Sequence, residues 1–189
     1  DWRCSYQRIR GIMTVYSGKE NKAADKPEKD FVIAETDDYE RLVPFFVEND
    51  LEFPEEDDIE TPTDLVQCWK VTEREEPDET SEKYASEKSR LIGGFVLAKR
   101  QGEFIVDGIA VDPEYRKYHI GRALLDNGIE ETLKHGGKRI FLVARAPGFF
   151  RKAGFVTVPR EEAPNFFECL TCPQYGVDCH PEVMRLDLE

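Results

Sequence analysis

One stretch constrains this chain more than any other: Ile105-Val106-Asp107-Gly108-Ile109-Ala110-Val111, then Asp112-Pro113-Glu114-Tyr115-Arg116-Lys117-Tyr118-His119-Ile120, then Gly121-Arg122-Ala123-Leu124-Leu125. It reads as a strand, a Pro-marked turn, a cationic loop and the start of a long helix. Amides at a helix N-terminus lack intrahelical partners and suit a phosphate. Gly121 would let the backbone approach an anion closely, and Arg116, Lys117 and Arg122 would add charge-assisted contacts. The arrangement is that of a phosphate or pyrophosphate cradle; the plainer alternative is an ordinary strand–turn–helix with a solvated turn.

The surrounding pattern gives the element order. Phe31-Val32-Ile33-Ala34 is a short β-like run, and residues 1–29 before it read as a mobile leader. Asp37-x-x-Glu40 resembles a capping box that opens a helix, which Pro44 should kink or keep short. Leu65–Glu73 is expected as a strand with Leu65, Gln67, Trp69 and Val71 on one face. Arg74–Arg90 is expected as a solvated hairpin insertion. Leu91–Arg100 and Glu103–Val111 form two strands around a tight Gln101-Gly102 turn. Gly121–His135 is the clearest helix, with Leu125, Ile129 and Leu133 stacked and Gly136-Gly137 at its end. Arg139–Ala144 is an apolar run suited to a central strand. A short helix at Pro147–Ala153, a strand at Phe155–Val158 and a returning strand from Val183 to Leu188 complete an α/β chain.

Charge supports an anionic ligand. The net charge is −13, which argues against nucleic acid as a partner. Yet residues 115–152 hold nine basic and three acidic side chains, a cationic island in an acidic protein. No apolar run approaches the ~20 residues of a membrane helix, and the first residues lack a signal-peptide layout, so a cytoplasmic protein is expected.

The segment from Asp112 to Arg116 and on to Gly121–Leu125 resembles motif A of the GNAT acetyltransferases, Arg/Gln-x-x-Gly-x-Gly/Ala. Arg116 matches its first position and Gly121 its last; His119 stands where the family usually has glycine. Phe149-Phe150-Arg151-Lys152-Ala153-Gly154-Phe155 is similar to the family's short helix ending in Gly-Phe. The resemblance implies a mixed, mostly antiparallel sheet flanked by helices, with a GNAT domain over 30–160 and a Cys-rich extension over 161–189 that completes the sheet. It implies acetyl-CoA as co-substrate, lying in a V-shaped split between the strand ending at Val111 and the strand 139–144. Backbone groups of Ile109, Ala110 and Val111 would pair with pantetheine. Amides of Tyr118, His119, Ile120, Gly121, Arg122 and Ala123, aided by Arg116 and Lys117, would hold the pyrophosphate.

The implied activity is transfer of an acetyl group to a primary amine by direct attack in a ternary complex. Asp107 is the candidate base, directly or through water; the plainer alternative is a surface or sheet-edge carboxylate. Many relatives place a tyrosine, the general acid, where this chain has Phe150; the alternative is therefore a catalytically silent acyl-CoA sensor of the same fold.

Two regions bear on the acceptor and on metals. Glu48–Asp64 contains nine acids and no base, which suits a cationic amine, or simply a solvated loop. Cys169, Cys172 and Cys179, with His180, could form part of a zinc knuckle, a redox pair or buried thiols. The tail also loosely resembles short members related to N-acetylglutamate synthases, which would imply a glutamate acceptor instead. The oligomeric state is left open, a dimer being compatible.

Overall fold

The computed structural model describes residues 7–9, 13–17, 30–51, 62–74, 89–167 and 172–188. Among the described residues, nine strands form one sheet in the order β1-β2-β3-β4-β5-β6-β7-β9-β8. In chain order these are β1 (Gln7–Ile9), β2 (Met13–Ser17), β3 (Asp30–Thr36), β4 (Asp64–Glu73), β5 (Leu91–Arg100), β6 (Glu103–Val111), β7 (Arg139–Ala144), β8 (Val156–Thr157) and β9 (Glu182–Asp187). Every neighbouring pair is antiparallel except β6 and β7. The α-helices among the described residues are α1 (Tyr39–Glu48), α2 (Ile120–Lys134) and α3 (Pro147–Lys152).

The central strands are apolar throughout because both faces of the sheet are covered. On β5, Phe95 and Leu97 join the cluster beneath α2 with Leu124 and Leu125. Val96 faces the other way, into a cluster with Leu42 and Phe46 of α1. Ala98 meets Ile105, Phe141, Phe166 and Phe167 in a third cluster built with the C-terminal segment. The absence of a side chain at Gly108 seats α1 close to the sheet: a Cβ there would lie 2.9 Å from the ring of Phe46.

The structure departs from the sequence pattern at several points. Order was expected from Phe31, yet β1 and β2 lie within the range read as a leader, and β2 pairs with β3 from Met13↔Ala34 to Ser17↔Asp30. The cap of α1 is Asp38 rather than Asp37, its carboxylate accepting from the amide of Arg41 at 3.2 Å. Pro44 lies inside a helix of 10 residues, so α1 stays short. On β4, a register shift between Leu65 and Gln67 breaks the expected face, leaving Leu65 exposed while Trp69 and Val71 are buried. On α2 the buried stripe runs through Leu124, Leu125, Gly128 and Thr132, and Leu133 is exposed. The expected insertion falls largely on residues 75–88, outside the described residues. β9 enters the sheet between β7 and β8.

Candidate active site

The only parallel strand pair among the described residues opens a cleft. β6 and β7 are bonded at Phe104↔Ile140 and Ile105↔Phe141 alone, after which the two strands part. Their closed end is held by Arg139, whose Nε donates to Glu103 Oε2 at 2.9 Å. Hydrogen bonds from Arg139 keep the Glu103 carboxyl below its usual range. The split widens into a cleft of about 1350 Å³ floored by residues 105–111 of β6 and 142–144 of β7.

One end of the cleft is cationic. Asp112 accepts from the amide of Glu114, which opens a 3-10 turn over Pro113–Tyr118, and α2 follows directly. His119 links the two in the left-handed conformation, φ 58° and ψ 23°, a geometry that glycine adopts with less strain. The amides of Arg122 and Ala123 close on the carbonyl of His119 at 3.1 and 3.2 Å, so those at the open helix end are the amides of Ile120 and Gly121, beside Arg116, His119 and Arg122 in the cleft wall. Arg116 folds back so that its Nε donates to the carbonyl of Val111 at 3.0 Å, tying loop to strand. Arg122 pairs with Asp126 one turn on, at 2.9 Å. Gly121 leaves space that the ring of Phe149 approaches, 3.4 Å from where a Cβ would stand.

Of the cofactor residues proposed from sequence, Ile109, Ala110, Val111, Arg116, His119, Gly121 and Arg122 line this cleft. The side chains of four others point elsewhere. Lys117 lies 5.1 Å over the ring of Tyr118, and Tyr118 packs on Phe31 and Tyr115. Ile120 is fully buried, and Ala123 packs against the core beneath α2. Ile120 can serve a ligand only through its backbone, whereas the amide of Ala123 already donates to the carbonyl of His119 at 3.2 Å and the Lys117 side chain is exposed.

The other end of the cleft is mixed in character. Asp107 is the extra residue of a β-bulge, since Val96 pairs with Gly108 and Leu97 with Val106. Its carboxylate accepts from Arg100 Nη2 at 3.0 Å, and both side chains are buried. Burial, and secondarily the charge of Asp107, push the Cys68 thiol up to about 11, so that thiol is inert at neutral pH. Tyr39 and Glu40 of α1, Thr63, Phe150 and Phe167 line the same cleft as Asp107. Arg145, beyond β7, donates to the carbonyl of Asp50 at 2.5 Å and so connects the two arms of the cleft.

Arg100, Thr63, Phe167 and Arg145 were not singled out from sequence. The two-residue period of β5 puts Arg100 on the face of Val96 and Ala98, which is a signal; the partners 37 and 66 residues away left none. Of the acidic connector, residues 52–61 lie outside the described residues. So does Cys169, while Cys172 and Cys179 are free thiols. Among the described residues, no group of three His, Cys, Asp or Glu side chains could hold a metal ion. None of their helices is long and apolar enough to cross a membrane.

Comparison with known proteins assigns this architecture. The GNAT acetyltransferase family model matches residues 39–155. No curated protein sequence matches the chain. Among solved structures, a GNAT-family acetyltransferase from Staphylococcus aureus superposes with a TM-score of 0.58 at 18% identity, covering 84% of this chain and 99% of that one. The ribosomal-protein-S18-alanine N-acetyltransferase of Escherichia coli gives 0.50 at 18% identity, with coverage of 84% and 94%. N-acetylglutamate synthase from Neisseria gonorrhoeae, solved with coenzyme A and N-acetyl-glutamate, gives 0.53 at 15% identity, with coverage of 88% and 36%. With its split between β6 and β7, the helix that opens at that split and a family match across most of the chain, this protein belongs to the GNAT acetyltransferase family.

Proposed function

We propose that the protein transfers an acetyl group from acetyl-CoA to a primary amine within a ternary complex. The observation that carries this reading is the parting of β6 and β7 directly in front of the N-terminus of α2. Exposed main-chain groups along the split suit the amide-rich pantetheine arm. The first-turn amides of α2, with Arg116 and Arg122, suit the pyrophosphate. Membership of the family and the CoA-bound neighbour of the same fold support this donor.

In this reading the acceptor enters at the Asp107 end as an ammonium ion. Asp107, directly or through water, receives one proton, which passes on to solvent. The freed nitrogen attacks the thioester carbon, the C–N bond forms, and the oxyanion is held by amide donors of β6. The C–S bond then breaks, and the leaving thiolate takes the second proton lost by nitrogen. Glu40, Asp50 and the acidic connector favour a cationic acceptor such as a polyamine or a lysine-rich peptide.

Calorimetric titration with acetyl-CoA and dephospho-CoA tests donor binding, alongside the double variant Arg116→Ala/Arg122→Ala. Micromolar binding by the parent, weakened at least tenfold in the variant, is expected. Thiol release in the presence of amines then tests turnover. Absence of binding by folded protein overturns the reading. A second reading, a binder that holds acyl-CoA without turnover, draws on Phe150, whose buried ring lines the cleft and can donate no proton. Binding without thiol release for any amine would select it.

A further inference from the structure

The guanidinium of Arg100 is shared among three segments that are remote in sequence. Its Nε donates to Thr63 Oγ1 at 2.8 Å, just before β4. Its Nη1 donates to the carbonyl of Phe166 at 3.0 Å, in the segment between β8 and β9. Its Nη2 donates to Asp107 Oδ1 at 3.0 Å, on the β6 bulge. The two charged side chains are only 7% and 9% exposed, whereas the arginines that pair with Asp112, Asp126 and Glu103 are about half exposed. Arg100, Thr63, Asp107 and the neighbouring Phe167 all line the cleft.

A buried ion pair of this kind is weak evidence for stability. Desolvating both charges costs several kcal/mol, and well-packed apolar residues of similar volume often serve the fold as well or better. What such a pair does supply is fixed geometry, because a planar guanidinium holds its three nitrogens, and therefore its three partners, at set angles. Here that geometry is centred on the end of the cleft away from the cationic loop.

We propose that Arg100 is the positioning residue of the acceptor end: it holds the Asp107 carboxylate in place in the cleft wall, and ties the Thr63 and Phe166–Phe167 walls to it. Arg100 touches neither of the reacting groups; it acts through Asp107. The inference rests on the acetyl-transfer reading above. It predicts a division of labour, in which the loop before α2 governs donor affinity and the Arg100 cluster governs the acceptor step. No bond to the donor passes through Arg100, so donor binding should be indifferent to its replacement.

The test uses the full chain, with acetyl-CoA as donor and three amine probes: spermidine, a lysine-rich peptide and glutamate. The best-turned-over probe is carried forward. Arg100→Met is expected to lower kcat roughly 100-fold, the range of a positioned proton acceptor, with the Kd for acetyl-CoA within about twofold of the parent. Arg100→Lys keeps a cation beside Asp107 and loses the fork, so it should recover part of that kcat. The variant Arg100→Met/Asp107→Asn removes both charges together. If Arg100 works through Asp107, the double variant is no slower than Asp107→Asn alone. Should Arg100→Met fail to fold, Thr63→Val removes one contact isosterically and should raise the amine KM several-fold with kcat less affected. Additive losses in the double variant, or full kcat in Arg100→Met, would overturn the inference while leaving acetyl transfer intact. A parent protein that binds acetyl-CoA and acetylates none of the probes would overturn both.

Discussion

Phe95 of β5 occupies the space that a side chain on Gly128 of α2 would fill: a Cβ there would lie 2.4 Å from Phe95 Cζ and 2.6 Å from Cε1. The contact sets how closely α2 rides on the sheet, and through that the position of its N-terminus at the cleft. Phe95 is itself fully buried and in edge contact with Trp69, so it has nowhere to retreat. Gly128→Ala gains helix propensity worth about 1 kcal/mol but overpacks the core by more, about 1–3 kcal/mol. A net loss of up to about 2 kcal/mol is expected in urea unfolding, with the slope of the transition unchanged.

Glu103 and Arg139 close the narrow end of the split where β6 and β7 are still paired. The folded-state pKa of Glu103 is depressed, chiefly by hydrogen bonds from Arg139. Its contribution to stability is therefore present above the unfolded-state pKa and is lost as pH falls through the folded-state value. Arg139 is about half exposed, so solvent screening keeps this contribution under about 1 kcal/mol. Glu103→Gln should be slightly less stable than the parent at neutral pH. The gap between the two melting temperatures should close as the medium is acidified below the usual carboxylate range.

Much of the fold was legible because burial on two faces leaves a plain mark. β5, β6 and β7 are apolar runs flanked by turn residues, and their bounds at Leu91–Arg100, Glu103–Val111 and Arg139–Ala144 agree with the pattern. The cationic loop was equally readable, since Pro113, Arg116 and Gly121 each carry a local meaning. What stayed hidden depends on distant partners. β1 and β2 have no long apolar run of their own; β1 pairs with β2, and β2 in turn pairs with β3. Leu133 has the spacing of a core residue yet falls off the buried stripe of Leu124, Gly128 and Thr132 and is exposed. The bulge at Asp107 arises from register, and although the period of β5 puts Arg100 on an inward face, its partners Thr63 and Phe166 come from tertiary closure to which no local spacing points.

His119 offers a test of how the loop before α2 works. It is held at φ 58° as the N-cap of α2 and makes no side-chain capping bond. A residue with a Cβ pays about 1–2 kcal/mol for that conformation, against a smaller entropic cost for glycine of about 0.5–1 kcal/mol. His119→Gly should therefore stabilise the protein by about 0.5–1 kcal/mol in thermal or urea unfolding. If backbone amides hold the pyrophosphate, acetyl-CoA affinity measured by calorimetry will be unchanged within about twofold. A large loss of affinity would assign the contact to the imidazole instead.

Phe150 poses the sharper question about chemistry. Its ring is 8% exposed, packs edge-on against Phe149 and Phe155, and lines the cleft between the strands. Phe150→Tyr adds one hydroxyl to a ring already fixed in place, so the change tests a proton donor with little repacking. If departure of the thiolate limits turnover, the phenol should raise kcat by about tenfold and leave the acetyl-CoA Kd unchanged. The gain should disappear above the phenol's own pKa of about 10, because a phenolate has no proton to give. An unchanged kcat at every pH would mean that thiolate departure is not limiting, and that the slow step lies at the Asp107 end, where the ammonium must lose its proton. Thiol release measured across that pH range, with a single amine at saturation, separates the two.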